Sequence, residues 1–524
     1  MPKGQALSNG LHRLPGLFKK PICEYQQNLL LIFVVAFLFR LALLILFPVP
    51  CGNDAAGRLY FRDTLWIGHW LPLTQALVYV GFAATQSVVF VRLVFIIITS
   101  LSAVAFTFYL QLFATHRAAL IGGLLFAANP LLVFLSLMPY QEVMFIGLLL
   151  GGLAFFHKAD VEGEHSWNYL VGSFLYGLAC LTRYEAWLIL PALFIANVWR
   201  SIASCSLRSI FFVTLKSAMG LLWGPVLWMI INWLKWGSPT AFLFHRPDHE
   251  FYAWAPHGEI MRIIAYIGMM IYWLARFGSP LILLAALGIG KFWKNRKTMF
   301  PVLWPAMLLL AMVLIFLIFI AGKEFATANR FASLPLAIML IFVALGADEV
   351  INRFEKSKAT WVEKLKRPAI ETTVFALAII LLLLYGAVPV VSGNRHPDYR
   401  EPYEVAMFIK EHLSQNERAV IVGESIAGAV PMAYQRVFGQ LSFDKDHLFC
   451  SALLDPQIVG DVNNFVREKN VRYVAVFGGE WKRSGSDEKF LKLADNPQKL
   501  AKAVLKKNTA IIFELAQYQF WQNR

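Results

Sequence analysis

The chain has 524 residues, of which 58% are hydrophobic and only 15% charged, and its mean hydropathy is +0.56. A soluble globular protein carries about 25% charged residues, so this composition excludes a string of soluble domains, a disordered chain and a small disulfide scaffold. The net charge is +15, yet residues 393–524 hold 18 Lys and Arg against 16 Asp and Glu; the rest of the excess is scattered over short loops in 1–392, which excludes a basic nucleic-acid-binding face.

A hydrocarbon core about 30 Å thick needs about 20 apolar helical residues to span it. Such runs predict eleven spans, near 28–48, 88–112, 118–136, 140–157, 168–183, 185–200, 209–235, 262–290, 299–321, 330–350 and 371–392. The first is too long for a cleaved signal peptide, contains Arg40 and lacks a small-residue cleavage site. Residues 1–392 are therefore expected to form an α-helical polytopic membrane domain. Between the first two spans lies a long loop, 49–87, whose Trp66, Trp70 and Tyr79 suit the membrane interface. One or two helices along the outer surface are expected there.

Placing the loops alternately on two sides gives one side 18 basic residues, among them Lys19, Arg117, Arg208, Lys291 and Lys364. Cytoplasmic loops carry the Lys and Arg excess. The amino terminus is accordingly expected in the cytoplasm and the tail, 393–524, outside it. In that tail, helical periodicity at Tyr403–Ser414 precedes a strand-like Arg418–Gly423. Helical Asp461–Asn470 and a β-rich Arg472–Phe477 follow, then helices over 487–494 and 497–507, then strands at 509–515 and 518–521. Alternating periods of this kind predict a small α/β domain.

The five cysteines show neither a metal-ligand pair nor the even number of a disulfide framework. Polar groups gather instead at the outer ends of the spans: Asn53, Asp54, Arg58 and Asp63; Glu142; Arg183 and Glu185; His245, Arg246, Asp248 and His249; Lys323 and Arg330. Ionisable groups in such places cost free energy unless they face a cavity or one another. A polar pocket open to the outer surface and to lipid is expected. The runs Asn53-Asp54, Asn129-Pro130, Met138-Pro139 with Glu142, and Leu181-Thr182-Arg183-Tyr184-Glu185, in this order and with a helix-then-strand tail from Tyr403 to Val422, carry a resemblance.

The chain resembles the GT-C class of polytopic glycosyltransferases, in the bacterial branch related to protein mannosyltransferases and aminoarabinose transferases. Tyr184 stands where that class often has Pro, and the first loop has one early acid rather than an adjacent pair. The resemblance implies a bacterial inner-membrane enzyme that moves a sugar from a polyprenyl-phosphate-linked donor to a glycolipid, polysaccharide or protein acceptor on the periplasmic side. It assigns the general-base role to Asp54.

That chemistry needs positive charge to hold the departing phosphate and a carboxylate to take the acceptor proton. Arg183, Arg246, Lys323 and Arg330 are the candidate phosphate ligands, since Arg binds phosphate through paired hydrogen bonds. Glu142 is the second candidate catalytic acid; its alternative is an exposed acid at a helix start, favoured by the helix dipole. Asn53, Arg58, Glu185 and His245 are candidate substrate contacts. The cofactor requirement stays open: a divalent metal fits the class, and His245, Asp248 and His249 could be drawn as a site. Arg40 and Arg276, deeper in their spans, are expected to face the protein interior or a wet cavity. Two other readings compete, a secondary transporter and a non-catalytic envelope assembly protein. Against the first stand the absence of an evident internal repeat and the placing of charge at span ends.

Overall fold

The computed structural model describes residues 22–49, 53–67, 70–162, 167–202, 207–243, 258–278, 281–323, 329–356, 368–395, 397–414, 416–422, 437–438, 448–450, 462–477, 501–506 and 510–515. A helix lies at every apolar run expected from the sequence. The first seven are α1 (Ile22–Leu46), α2 (Asn53–Tyr60), α3 (Pro72–Thr85), α4 (Val88–Gln111), α5 (His116–Ala128), α6 (Pro130–Ser136) and α7 (Glu142–Glu162). Then come α8 (Trp167–Cys180), α9 (Glu185–Leu188), α10 (Leu190–Ile202), α11 (Leu207–Trp236), α12 (Glu259–Gly278) and α13 (Ile282–Lys294). The apolar part ends with α14 (Arg296–Lys323), α15 (Ser333–Lys356) and α16 (Pro368–Arg395).

Among the described residues, six helices are long and apolar enough to cross a bilayer, or seven if the bent pair α5–α6 is one span. The chain is an integral membrane protein. Three of the expected spans take other forms. The run 168–183 holds the 14-residue α8, which at 1.5 Å per residue covers about 21 Å. The run 185–200 breaks into α9 and α10, and 262–290 divides into α12 and α13. Gly278, a poor helix former, is the last residue of α12 and marks the last division.

The bend between α5 and α6 is 58° and has a local cause. Pro130 has no N–H to donate and sits at the first helical position of α6, where none is needed. Asn129 caps the new start: its Oδ1 accepts from the backbone N–H groups of Leu131 at 3.1 Å and Leu132 at 3.3 Å. The Asn129 amide then donates to the Phe277 carbonyl at 3.0 Å, tying the break to the end of α12.

Leu30, Leu38, Ile45 and Leu46 of α1 point outward while Arg40 on the same helix is fully buried. Arg40 thus lies in the interior, as expected, donating to the Ala36 carbonyl at 3.1 Å. Arg276 does not: it is exposed in the last turn of α12, where its guanidinium donates to the Tyr272 hydroxyl at 2.9 Å and lies against three aromatic rings. The aromatic stem contacts let a surface cation sit beside apolar material.

Beyond α16 stand α17 (Pro397–His412), β1 (Arg418–Val422), β2 (Leu448–Cys450), α18 (Val462–Glu468), β3 (Val471–Phe477), β4 (Ala501–Lys506) and β5 (Ala510–Leu515). The strands form one sheet in the order β2-β1-β3-β5-β4. β1 pairs in parallel with β2 and β3, whereas β5 is antiparallel to β3 and β4. Of the helix expected over 497–507, the described residues 501–506 are instead the strand β4, which pairs with β5 against its helix-favouring composition. β2, three residues long, has no periodicity to find. The expected elements at 487–494 and 518–521 lie outside the described residues.

Candidate active site

The loop between α1 and α4 holds two helices, α2 and α3, as its composition predicted. Asp54 and Arg58 are one helical turn apart on α2 and so share a face. Three anchors fix that face. The buried Gln75 amide, on α3, donates to the carbonyls of Phe61 at 2.7 Å, Thr64 at 3.1 Å and Arg58 at 3.4 Å, satisfying groups a helix end leaves open. Arg58 donates from Nη2 to Gln141 Oε1 at 2.7 Å. Its guanidinium also lies 4.5 Å from the centre of the Trp70 ring.

Three stretches of chain bring the remaining groups to this point. Glu142 opens α7 and is 1% exposed, so the reading of it as an exposed helix-start acid is overturned. Arg183, in the turn between α8 and α9, ion-pairs through Nη1 with Glu142 and through Nη2 with Glu185. Arg330, in the one-turn helix Asn329–Ala332 that precedes α15, ion-pairs with Asp54, and its Nε lies 3.9 Å from Glu142 Oε1. The Phe331 ring lies under both guanidinium groups, 5.8 Å from that of Arg183 and 5.3 Å from that of Arg330. Asp54 and Arg330 are partly exposed, at 36% and 25%, and form the open edge over a floor made by Glu142.

Burial, which disfavours the charged form, pulls Arg58 down to about 10. The Glu142 carboxylate opposes that pull and the Arg183 cation adds to it. Arg58 is still a cation at neutral pH. Around this point stand three guanidinium groups and three carboxylates, and four buried atoms have no hydrogen-bond partner: Arg58 Nη1, Arg330 Nε, Glu142 Oε2 and the Tyr266 hydroxyl. Tyr266, on α12, lies in the field of Arg183 and Glu185. An unmet buried polar atom costs about 1–3 kcal/mol. Three donors and one acceptor converging in this way suit a polar, anionic ligand.

The structure thus brings together Asp54, Glu142, Arg183, Arg330, Arg58 and Glu185. Asn53 lies at the start of α2 and Lys323 at the end of α14, but their side chains, with all of His245, Arg246, Asp248 and His249, lie outside the described residues. Asp63 accepts a hydrogen bond from its neighbour Thr64 Oγ1 at 3.5 Å. Among the described residues no three His, Cys, Asp or Glu side chains are grouped as metal ligands. Gln75, Gln141 and Tyr266 had no assigned role from sequence. A Gln in an apolar helix, and a Tyr at i, i+4 and i+11 from Met270 and Phe277, were the available signals.

Tyr184 has a visible purpose. Its hydroxyl accepts from Trp228 Nε1 at 3.0 Å, and its ring stacks on Phe242 at 5.2 Å and meets Trp187 edge-on at 5.4 Å. These contacts pin the short turn that presents Arg183 and Glu185, doing with an aromatic anchor what a Pro does by restricting φ.

No protein-family model and no curated protein matches the chain. Solved structures do. ArnT from Cupriavidus metallidurans in its apo state superposes with a TM-score of 0.53 at 14% identity, over 93% of this chain and 97% of that one. The same protein bound to undecaprenyl phosphate gives 0.50 at 12% identity, over 94% and 97%. The chain has the GT-C fold.

Proposed function

We propose that this chain is a glycosyltransferase that moves a sugar from a polyprenyl-phosphate-linked donor to an acceptor hydroxyl at the extracytoplasmic face, with inversion and with Asp54 as general base. The observation that carries the reading is the half-open cluster of Asp54, Glu142, Arg58, Arg183 and Arg330 with its unmet donors. The GT-C fold supports it, as does the undecaprenyl phosphate bound by ArnT.

The sugar C1–O bond to phosphate breaks, and the polyprenyl phosphate leaves with the electron pair. The acceptor oxygen bonds to C1 as its proton passes to Asp54. Phosphate is a good leaving group, so the site needs charge rather than a strong acid. Arg58 and Arg330 stabilise the anion as it separates, each offering an N–H that no protein group receives. Arg183, held by Glu142 and Glu185, is fixed before the donor arrives. In the resting site Arg330 is paired with Asp54, which weakens that carboxylate as a base. Arrival of the donor phosphate draws Arg330 toward the incoming charge and frees Asp54. The base is then strongest when the donor is in place.

Asp54→Asn keeps the shape and removes the base. In liposomes with a polyprenyl-phosphate sugar and a hydroxyl acceptor, it should lower transfer by about 10²–10⁴-fold with folding intact. Wild-type rates in this variant would reject the assignment. The excess of basic residues in one set of loops orients the tail outward, so a reporter fused after residue 524 should read as extracytoplasmic. A cytoplasmic readout would put the cluster on the wrong face for this chemistry.

A further inference from the structure

The helix carrying Asp54 has a second set of contacts, away from the cluster. Ala55 and Leu59 of α2 pack in the main core of the membrane helices, but Tyr60 packs in a separate core with Val405, Ile409, Ile421, Phe438 and Tyr473. Its ring meets that of Phe438 edge-on at 5.3 Å. Two residues on, Arg62 is 4% exposed. Its Nη1 donates to the Phe438 carbonyl at 3.0 Å. Its guanidinium lies between two rings, 4.5 Å from the centre of Phe438 and 4.3 Å from that of Phe82 on α3. A cation held between two aromatic faces, with a hydrogen bond to the backbone of one of them, fixes both position and rotation.

We infer that Arg62 and Phe438 lock the carboxy-terminal sheet onto α2 and so set the orientation of Asp54 and Arg58, making Arg62 a positioning residue. The path is short and stiff. Asp54 and Arg62 are eight residues apart, about 12 Å along a helical axis, and the Gln75 amide clamps the stretch between them through the Arg58 and Phe61 carbonyls. Because Asp54 and Arg58 share one face of a single short helix, a small rotation of α2 moves both together. A misplacement of about 1 Å costs on the order of 10²-fold in rate.

The kinetic half of the test rests on the transferase reading; the structural half does not. Arg62→Ala, Arg62→Lys and Phe438→Leu would be compared with the full-length protein in lipid nanodiscs, by amide hydrogen exchange over 53–60 and by transfer from a polyprenyl-phosphate sugar. Arg62→Ala should raise exchange in that helix about tenfold and lower kcat about tenfold, with the donor KM and the melting temperature unchanged. Arg62→Lys should restore most of both, because an ammonium keeps the charge between the rings and a donor for the Phe438 carbonyl. Phe438→Leu should repeat the effect, and it supplies the test if Arg62→Ala does not fold. Unchanged exchange in 53–60 for both Arg62→Ala and Phe438→Leu overturns the inference. So does a kcat that falls only in step with the folded fraction and is not rescued by Lys. Raised exchange in a protein that transfers no sugar even as wild type keeps the inference and rejects the transferase reading.

Discussion

Among the described residues, the membrane helices carry two buried carboxylates, each 1% exposed, toward opposite ends of the long elements: Glu142 at the start of α7 and Asp348 near the end of α15. Asp348 receives the Lys291 ammonium at 2.5 Å and the Asn352 amide at 3.2 Å, with Arg117 at 3.9 Å. Cations from α5 and α13 thereby converge on an acid of α15; as with Glu142, one of its oxygens, Asp348 Oδ1, has no hydrogen-bond partner, so the contrast between the two lies in the donors around them. Glu142 sits in a different company. Two further acids and three arginines surround it, and Arg58, Arg330 and Tyr266 each keep a buried donor with no acceptor. A structural anchor directs its donors at its acid; a binding site holds some of them for a molecule that is not protein.

The largest effect expected from this contrast is the separation of activity from stability. Arg58→Met keeps the stem packed on Trp70 and removes the cation. It should lower kcat/KM for a lipid-phosphate sugar about 10²–10³-fold, while thermal unfolding moves little, because Arg58 hydrogen-bonds to the neutral Gln141 and its removal relieves the burial of a charge. Lys291→Met should do the reverse. It leaves Asp348 with only the distant Arg117 and a neutral amide, so unfolding should become easier by about 3 kcal/mol, while kcat per folded molecule changes less than about twofold. Calorimetry and single-turnover transfer on the two variants decide it. If both lose stability and keep activity, the ends of the bundle do not differ in kind.

How far this contrast was legible in the sequence depends on the range of the interaction. Apolar runs announce spans because a bilayer demands a length, and the ends of those runs placed Asp54, Glu142, Arg183 and Arg330 on one side. Their pairing was not legible. Arg183 meets Glu142 across 41 positions and Arg330 meets Asp54 across far more, and nothing local marks such partners. Gln75 was overlooked because its worth comes from carbonyls left open at the end of a neighbouring helix. The residues of β4 read as helical because Ala, Leu and Lys favour helices locally, while pairing with β5 is a long-range gain. The same limit hid the role of Tyr184, whose partners Trp228 and Phe242 lie far along the chain.

The smallest effects sharpen the view of the far end as scaffold. α13 and α15 cross closely: a Cβ on Gly288 would come within 1.8 Å of the Phe342 carbonyl oxygen, and one on Gly346 within 1.8 Å of that of Leu284. Backbone cannot yield as a flexible side chain does, so Gly288→Ala should destabilise by about 1–3 kcal/mol. It would separate the helices that bring Lys291 to Asp348, and the loss should shrink in a Lys291→Met background, where that ion pair is already gone. Gly290 is two residues away on the same helix, and a Cβ there meets nothing within 4 Å. Gly290→Ala should leave stability unchanged or raise it by about 0.5–1 kcal/mol, since Ala gives up less backbone freedom on folding. Two opposite signs in thermal unfolding, from one substitution made two positions apart, would establish that this end of the protein is held by close packing. Equal effects would mean that the crossing is looser than its backbone contacts imply, and that Lys291 and Asp348 carry the contact alone.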